Sequence, residues 1–546
     1  MLLQKWLRKG IAAASAGALL LSGAALLPAG AASVPDFSSL GAVGCLTEAQ
    51  TKSAAERIYA AVSSHAATAE LSTGSGLLVS AGTEEMDSLM QVFATVVGGF
   101  EEGILTNKNS ISLQMANSSR KGNYIKSIVI YYLVDDASYS KAYSKAVGQL
   151  DAISEQVNPA WSDVEKALFL HEYIAVHYDY DRDYASYTTE SESYLCHTAY
   201  GMLERGKAVC EAYAWLYNLL LRREDIESWI VSSDSMGHAW NLVHLEDGWA
   251  HVDITWDDCY QGHCGTVKHT SFLKSSSAMT ESSHSGDDWK LSTGVSVASL
   301  PVTDRYDEGF WTNTEAAVRY YGNRWLAIEQ DAVSSTVGWF RQYEYDPETV
   351  TARSSDLLSL SLYWTVPGST NHYVGTYITT DVAGDVLYYS TPESIMAYYD
   401  GEVCWQLDLT KEQLESYRIY GMYIDGDTLY YVLAASPTGD AVKCSVKLSD
   451  LPGITEPVTE APTEPVTEAP TEPVTEAPTE PATEALQQGD LDGDGIVTVT
   501  DVIFLQRYLL CGMPLTQAEA DCADVYEDGE VDVFDLAILK RMLLSE

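Results

Sequence analysis

The sequence predicts a multidomain chain: an α+β core, an all-β region after it, and a small all-α module at the end. Three observations carry that expectation. Helical and strand-like periodicities alternate up to about Lys290, whereas short aromatic strands separated by turn residues recur from Pro301 to Leu451. A repeat rich in proline and glutamate then separates everything upstream from the C-terminal stretch. That stretch, Gly489 to Glu546, holds a duplicated loop, each copy running into an apolar helical segment.

Taken in order, residues 1–32 read as a secretory signal. Lys5, Arg8 and Lys9 precede an apolar run from Ile11 to Leu27, and Ala29-Gly30-Ala31 supplies a small-residue cleavage site. No later segment reaches the roughly 18 consecutive apolar residues a span needs, so no membrane span is expected in the mature chain. Losing the signal takes the formal net charge from −46 to −49. Phosphates require a basic footprint, so nucleic acid and anionic membrane surfaces are excluded as partners. Nine cysteines leave at least one thiol unpaired. Apart from Cys210, proximity suggests pairing Cys259 with Cys264, Cys404 with Cys444, and Cys511 with Cys522.

Residues 33–160 form an α/β preamble, and the core is expected over 161–295. There Ser162-Asp-Val-Glu165 is a capping-box start to a helix with Val164, Ala167, Leu168, Ile174 and Ala175 on one side. A second helix, Ala208 to Arg222, buries Ala212, Leu216, Leu219 and Leu220. Two strands follow, His238–His244 and Trp249–Thr255. Residues 300–452 read as a β-rich accessory domain, either propeller-like blades or an irregular sheet, with turns at Asp400-Gly401 and Asp425-Gly426. Its aromatic strands could line a sugar surface, although aromatic pairs are ordinary sheet core. Residues 453–487, built on TEPVTEAP, are a stiff Thr/Glu/Pro linker.

One constellation carries catalytic chemistry. Cys210 lies in the first turn of its helix, where unpaired N–H groups and the macrodipole favour a thiolate. A thiolate still needs a base to move protons, and the base needs an orienting carboxylate. A loop at Leu245–Gly248 pairs 244 with 249, 242 with 251 and 240 with 253. Asp253 is then diagonal to His238 on one sheet face. Trp240, Asn241, Trp249 and Trp256 read as packing and cleft-wall residues, and His171, His177, His197, His244 and His251 as structural. Cys259, His263, Cys264 and His269 have zinc-ligand types, but the adjacent His263-Cys264 pair is poor geometry for two ligands.

These residues, with Glu165-Lys-Ala-Leu-Phe-Leu-His-Glu-Tyr, Thr198-Ala-Tyr-Gly201, Ser271-Phe-Leu273 and His284, resemble the transglutaminase-like superfamily of papain-related enzymes. The resemblance implies a Cys210–His238–Asp253 triad, an α+β papain-like core, and acyl transfer on a protein or peptide substrate. The backbone N–H of Cys210 is one expected oxyanion donor, with Tyr200 a candidate for the second.

In the C-terminal stretch, Asp490, Asp492, Asp494, Ile496 (through its carbonyl), Thr498 and Asp501 sit at the ligand positions of a twelve-residue calcium loop, with Gly495 at the sharp turn. The second copy offers Asp524, Asp528, Glu530, Asp532 and Asp535, with Tyr526 where a carboxylate or amide belongs. No helix precedes the first loop. A duplicated loop–helix of this kind resembles a dockerin, which implies calcium, at two sites with the second weakened by Tyr526, and a cohesin domain of a scaffold protein as partner. Val499, Thr500, Val533 and Phe534 are then the residues that read the cohesin. Together these readings describe a secreted, scaffold-attached cysteine enzyme, peptidase-like hydrolysis first. Glutamine–lysine crosslinking is the alternative, or an inactive structural component of a polysaccharide-degrading complex.

Overall fold

A computed structural model describes residues 35–72, 79–119, 122–258 and 266–451. Of the C-terminal stretch it describes 488, 489, 491, 497, 502, 505, 522–525, 531, 535, 536, 538 and 539. The expected signal and linker lie outside these residues. The chain divides into two compact units, Met1–Ile454 and Thr455–Glu546.

The first unit opens with α1 (Glu48–Ser63), started by a Thr47–Gln50 capping box, followed by β1 (Thr68–Glu70), β2 (Val79–Ser80) and α2 (Thr83–Gly99). Two long strands, β3 (Thr106–Ser118) and β4 (Gly122–Tyr132), form an antiparallel ladder, with β1 and β2 also on β4. Next come α3 (Asp136–Ser154) and α4 (Asp163–His177). The predicted box is present on α4: Glu165 N donates to Ser162 Oγ, and Ser162 N to Glu165 Oε2 at 2.9 Å. Every apolar residue assigned to its inner face is buried.

A short parallel pair, β5 (Asp179–Tyr180) and β6 (Lys207–Ala208), brackets α5 (Glu190–Leu195) and α6 (Ala199–Arg205). It leads into α7 (Cys210–Arg223), whose residues from Ala212 to Leu221 are all buried. This helix packs on β7 (Ser228–Ser233) and β8 (His238–Leu245), and touches α2, α4 and α6. With β9 (Gly248–Val252), β10 (Phe272–Lys274) and β11 (Lys290–Leu291), these strands form one antiparallel sheet in the order β10-β9-β8-β7-β11. Between β9 and β10 lies a four-residue helix, α8 (Ile254–Asp257).

From Arg319 onward the first unit is almost entirely antiparallel sheet. A four-stranded meander (Arg319–Tyr321, Arg324–Gln330, Val337–Asp346, Thr351–Ser361) is followed by a two-stranded pair, Tyr363–Thr365 with His372–Val374. A second four-stranded meander (Thr380–Ala383, Val386–Ser390, Ser394–Tyr399, Glu402–Asp408) and a three-stranded sheet (Arg418–Asp425, Thr428–Ala434, Val442–Lys447) complete it. The expected Asp400-Gly401 turn has φ of +50° and +87°, the mirror-image turn whose twist suits a tight hairpin. The sheets are open, with no closed barrel among the described residues. One apolar cluster runs through the helices and into this region, joining Leu216, Ile254 and Phe272 with Trp311, Trp325, Tyr343 and Tyr423.

Two expectations are corrected. The strand assigned to Trp249–Thr255 stops at Val252, because Asp253 caps α8 and the backbone turns. Cys404 and Cys444, on different sheets, carry free thiols rather than a bridge. Cys259, Cys264 and His263 lie outside the described residues, as does Cys511.

Candidate active site

Cys210 is the first residue of α7, and its N-cap is Val209, which places no side-chain oxygen on the first-turn N–H groups. Valine is a poor cap. The consequence is a helix start whose positive end is left for another anion, beside a partly exposed sulfur.

The hairpin register is the expected one: His244 faces Trp249 and Leu242 faces His251. His238 begins β8, and Asp253 follows the last residue of β9, held by its N–H to the Ser271 carbonyl at 2.9 Å. His238 Nε2 donates to Asp253 Oδ2 at 2.6 Å, and the Cys210 sulfur is near enough to act on the same ring. With Nε2 committed to the carboxylate, Nδ1 is the nitrogen left for sulfur. The three predicted residues therefore lie together, although residue 253 reaches this position from a helix cap and not from the ladder.

Burial opposes charge on His238, but the Asp253 carboxylate and then the Cys210 sulfur outweigh it and push the imidazole up to about 10. Burial likewise works against the Asp253 charge, and His238 and His284 overcome it, holding that carboxyl well below the usual range. His238 lies between two indoles, Trp240 at 5.7 Å and Trp256 at 5.6 Å between ring centroids. Trp240 is buried and its Nε1–H donates to His251 Nδ1 at 2.9 Å, whereas Trp256 is 37% exposed and forms an outer wall.

Two further residues belong to the surroundings of the site. Tyr180, on β5 beside Ala208, has its phenol pushed up by burial and by Cys210, Tyr184 and Cys196. His284 had been noted only as part of a motif; its Nε2 lies 2.8 Å from the same Asp253 oxygen that His238 engages. Tyr200, on α6, has its phenol raised by burial and by Glu204, with Lys145 opposing. Glu211, next to the cysteine, binds Lys108 Nζ at 2.9 Å and His197 Nδ1 at 3.2 Å.

A second buried cluster sits at the far end of α8. His171 bridges Glu172 (3.1 Å) and Asp257 (3.3 Å), and His269 bridges Glu172 (2.7 Å) and the Thr314 carbonyl (3.1 Å). The other Glu172 oxygen accepts from Val318 N at 2.8 Å. The sets His171–Glu172–His269 and His238–Asp253–His284 both have ligand types close enough to share a metal ion. In each, the spacings are those of direct hydrogen bonds.

In the second unit, Leu491, Val502, Leu505, Ala523 and Leu539 form an apolar core, so both loop–helix copies contribute to one interior. Gly489 N donates to Cys522 O at 2.9 Å. Of the calcium-loop positions, Asp524 and Asp535 are described, and Asp535 is buried. Asp490, Asp492, Asp494, Ile496, Thr498, Asp501, Asp528, Glu530 and Asp532 lie outside the described residues, as do Val499, Thr500, Val533 and Phe534.

Residues 151–254 match the family model of the transglutaminase-like superfamily, and residues 488–544 match that of the dockerin type I domain. The chain thus carries a transglutaminase-like segment, of a cysteine-enzyme-like kind, and a type I dockerin segment. It is similar to kyphoscoliosis peptidase of Mus musculus, 28% identical over 135 residues, covering 22% of this chain and 20% of the mouse protein. It therefore spans about a fifth of that relative's length. A solved TGase structure matches at 16% identity over 30% of this chain and 49% of the other, with a TM-score of 0.19. Among the described residues no helix is long and apolar enough to cross a membrane.

Proposed function

We propose that the first unit cleaves amide bonds in proteins or peptides through Cys210, His238 and Asp253. The observation that carries this reading is the placement of one imidazole between a buried carboxylate and a cysteine at an uncapped helix start. The mouse relative is named a peptidase, which accords with hydrolysis. The Cys210 sulfur attacks the carbonyl, and the developing oxyanion is met by N–H groups of the first turn of α7. Collapse expels the amine, which takes its proton from His238. His238 then accepts a proton from water as the hydroxyl attacks the thioester, and the carboxylic acid leaves with the thiolate restored. Asp253 holds the ring so that Nδ1 is turned toward sulfur, and its negative charge offsets that of the imidazolium.

The test is mass-spectrometric labelling with iodoacetamide. Cys210 should label selectively near neutral pH and the signal should vanish in Cys210→Ala; equal, slow labelling of all accessible thiols would falsify the activated-cysteine reading. Casein digestion with and without an added primary amine separates the two outcomes: free carboxyl ends mark hydrolysis, and amine incorporation marks crosslinking.

The second unit, in this proposal, docks the enzyme to a cohesin on an extracellular scaffold, with calcium shaping the loops. Asp490, Asp492, Asp494, Thr498 and Asp501 offer side-chain oxygens and Ile496 its carbonyl, the hard-donor set calcium takes. Capture by a cohesin column should be lost in EDTA and return with added calcium. Capture undiminished by chelation argues against this assignment.

A further inference from the structure

We infer that His284 is a positioning residue for the candidate site, holding the Asp253 carboxylate in a fixed rotation by donating to the very oxygen that His238 engages. This rests on the catalytic reading of Cys210, His238 and Asp253 and extends it.

Three observations support it. The first is convergence on one atom. Asp253 Oδ2 takes N–H donors from His238 at 2.6 Å and His284 at 2.8 Å, while Oδ1 accepts from Trp256 N at 3.3 Å. A carboxylate held by donors on both oxygens has no freedom to swing away from His238. The second is burial. His284 has no exposed surface and Asp253 is 1% exposed, so no water competes for the lone pairs.

The third is backbone cost. Ser283, immediately before His284, has φ of +82°, a conformation serine adopts rarely, and the turn is tied by Ser283 N to Thr280 O and His284 N to Met279 O. These two bonds close the C-terminal end of the helix Ser276–Glu281 with Ser283 at its left-handed position, and so fix where His284 enters the site. Trp256 lies over both rings, 3.9 Å from His284 and 5.6 Å from His238 between centroids, so the two imidazoles share one aromatic cover.

The charged and titratable groups facing this set are Cys210 from α7 and His251 from β9. His251 stays neutral, pushed down to about 3 by burial and by the neighbouring His284 against the pull of Asp253. The Ser282 hydroxyl is 3.4 Å from the other nitrogen of His284. The raised pKa of His238 depends on the Asp253 carboxylate staying in place. Removing the second donor frees that carboxylate to rotate away from His238, and the imidazolium gives up its proton at lower pH.

The experiment uses the full chain and the rate of Cys210 alkylation. Iodoacetate is an anion drawn by the imidazolium, so its rate falls at the pH where His238 loses its proton. In His284→Leu the alkaline limb of that profile should move down by about one pH unit, and iodoacetamide labelling at neutral pH should drop about tenfold. His284→Gln, which keeps an N–H donor, should return both toward wild type. A limb that stays in place or moves up in His284→Leu overturns the proposal.

If the leucine variant does not fold, the imidazole ¹⁵N–¹H spectrum of wild type decides. It should contain an Nε2-bound proton that disappears in His284→Gln, and its absence overturns the proposal. Wild-type Cys210 that labels no faster than the other thiols defeats the enzyme reading instead, and the same spectrum still reports whether residue 284 donates to the carboxylate.

Discussion

Two histidine–carboxylate–histidine clusters flank α8, one at each end of four residues, and they are built from the same chemistry. At the N-terminal end Asp253 joins His238 and His284; at the C-terminal end Asp257 and Glu172 join His171 and His269. The difference is in what is left over. In the second cluster both rings are fully buried and every nitrogen is spent on a carboxylate or the Thr314 carbonyl. In the first, His238 keeps one nitrogen for a sulfur that solvent can reach. On the proposed function, residue type does not separate the reactive site from a structural clamp. The unspent nitrogen does.

The comparison can be broken or sharpened in graded steps. The largest effect belongs to the open cluster: His238→Gln should reduce Cys210-dependent turnover by about 10³–10⁴-fold, measured on a peptide substrate. The reciprocal change in the closed cluster should move stability and leave labelling of Cys210 nearly untouched. Glu172→Gln breaks a fully buried ionic network and should cost about 3–5 kcal/mol, read from the urea midpoint. If Glu172→Gln abolished labelling while the protein remained as stable as wild type, the division between the clusters would collapse.

The pH dependence follows from the same network. His171 is buried against charge, but Asp257 and Glu172 prevail and raise it from 6.5 to about 9. A group raised in the folded state stabilises fully below its unfolded value, and the contribution is lost as pH climbs through about 9. Glu172, which burial would raise, is brought down from 4.5 to about 2 by His269 and His171, so its contribution is present above 4.5 and lost as pH falls toward 2. Between about 4.5 and 6.5 both operate. His171→Gln should therefore flatten the loss of stability on the alkaline side, by up to about 3 kcal/mol in urea titrations between pH 6.5 and 9. The smallest step is Thr270→Val, which removes one hydrogen bond to Asp257 at 3.1 Å and should cost about 1 kcal/mol, with turnover unchanged.

Local signals made much of this legible from sequence. The capping box at Ser162, the apolar stripe of α4, the turn at Asp400-Gly401 and the register of the β8–β9 hairpin all depend on neighbours within a few residues. The position of Cys210 at a helix start was legible for the same reason. Asp253 was placed beside His238 by continuing the ladder one residue too far: the strand ends at Val252 because a carboxylate followed by Ile-Thr-Trp caps a helix as readily as it extends a strand. The roles of His284 and of the His171–Glu172–His269 set had no local trace. Apart from the adjacent His171–Glu172 pair, the side chains that bond one another here are 31 to 97 residues apart, and only tertiary packing brings them together. One signal was available and unused: Val209 is a weak residue with which to begin a helix, and such a lapse marks a helix end reserved for another purpose.

The link from Glu172 to the backbone of Val318, and from His269 to that of Thr314, bears on how such proteins could be recombined. Grafting the transglutaminase-like segment onto a foreign scaffold without residues 314–318 would strand an acid oxygen and an imidazole nitrogen in a dry interior. A hybrid that carries the strip along keeps both satisfied. The practical unit of inheritance in this chain is set by hydrogen bonds that cross from helix to sheet, and a splice point chosen from sequence texture alone would cut through them.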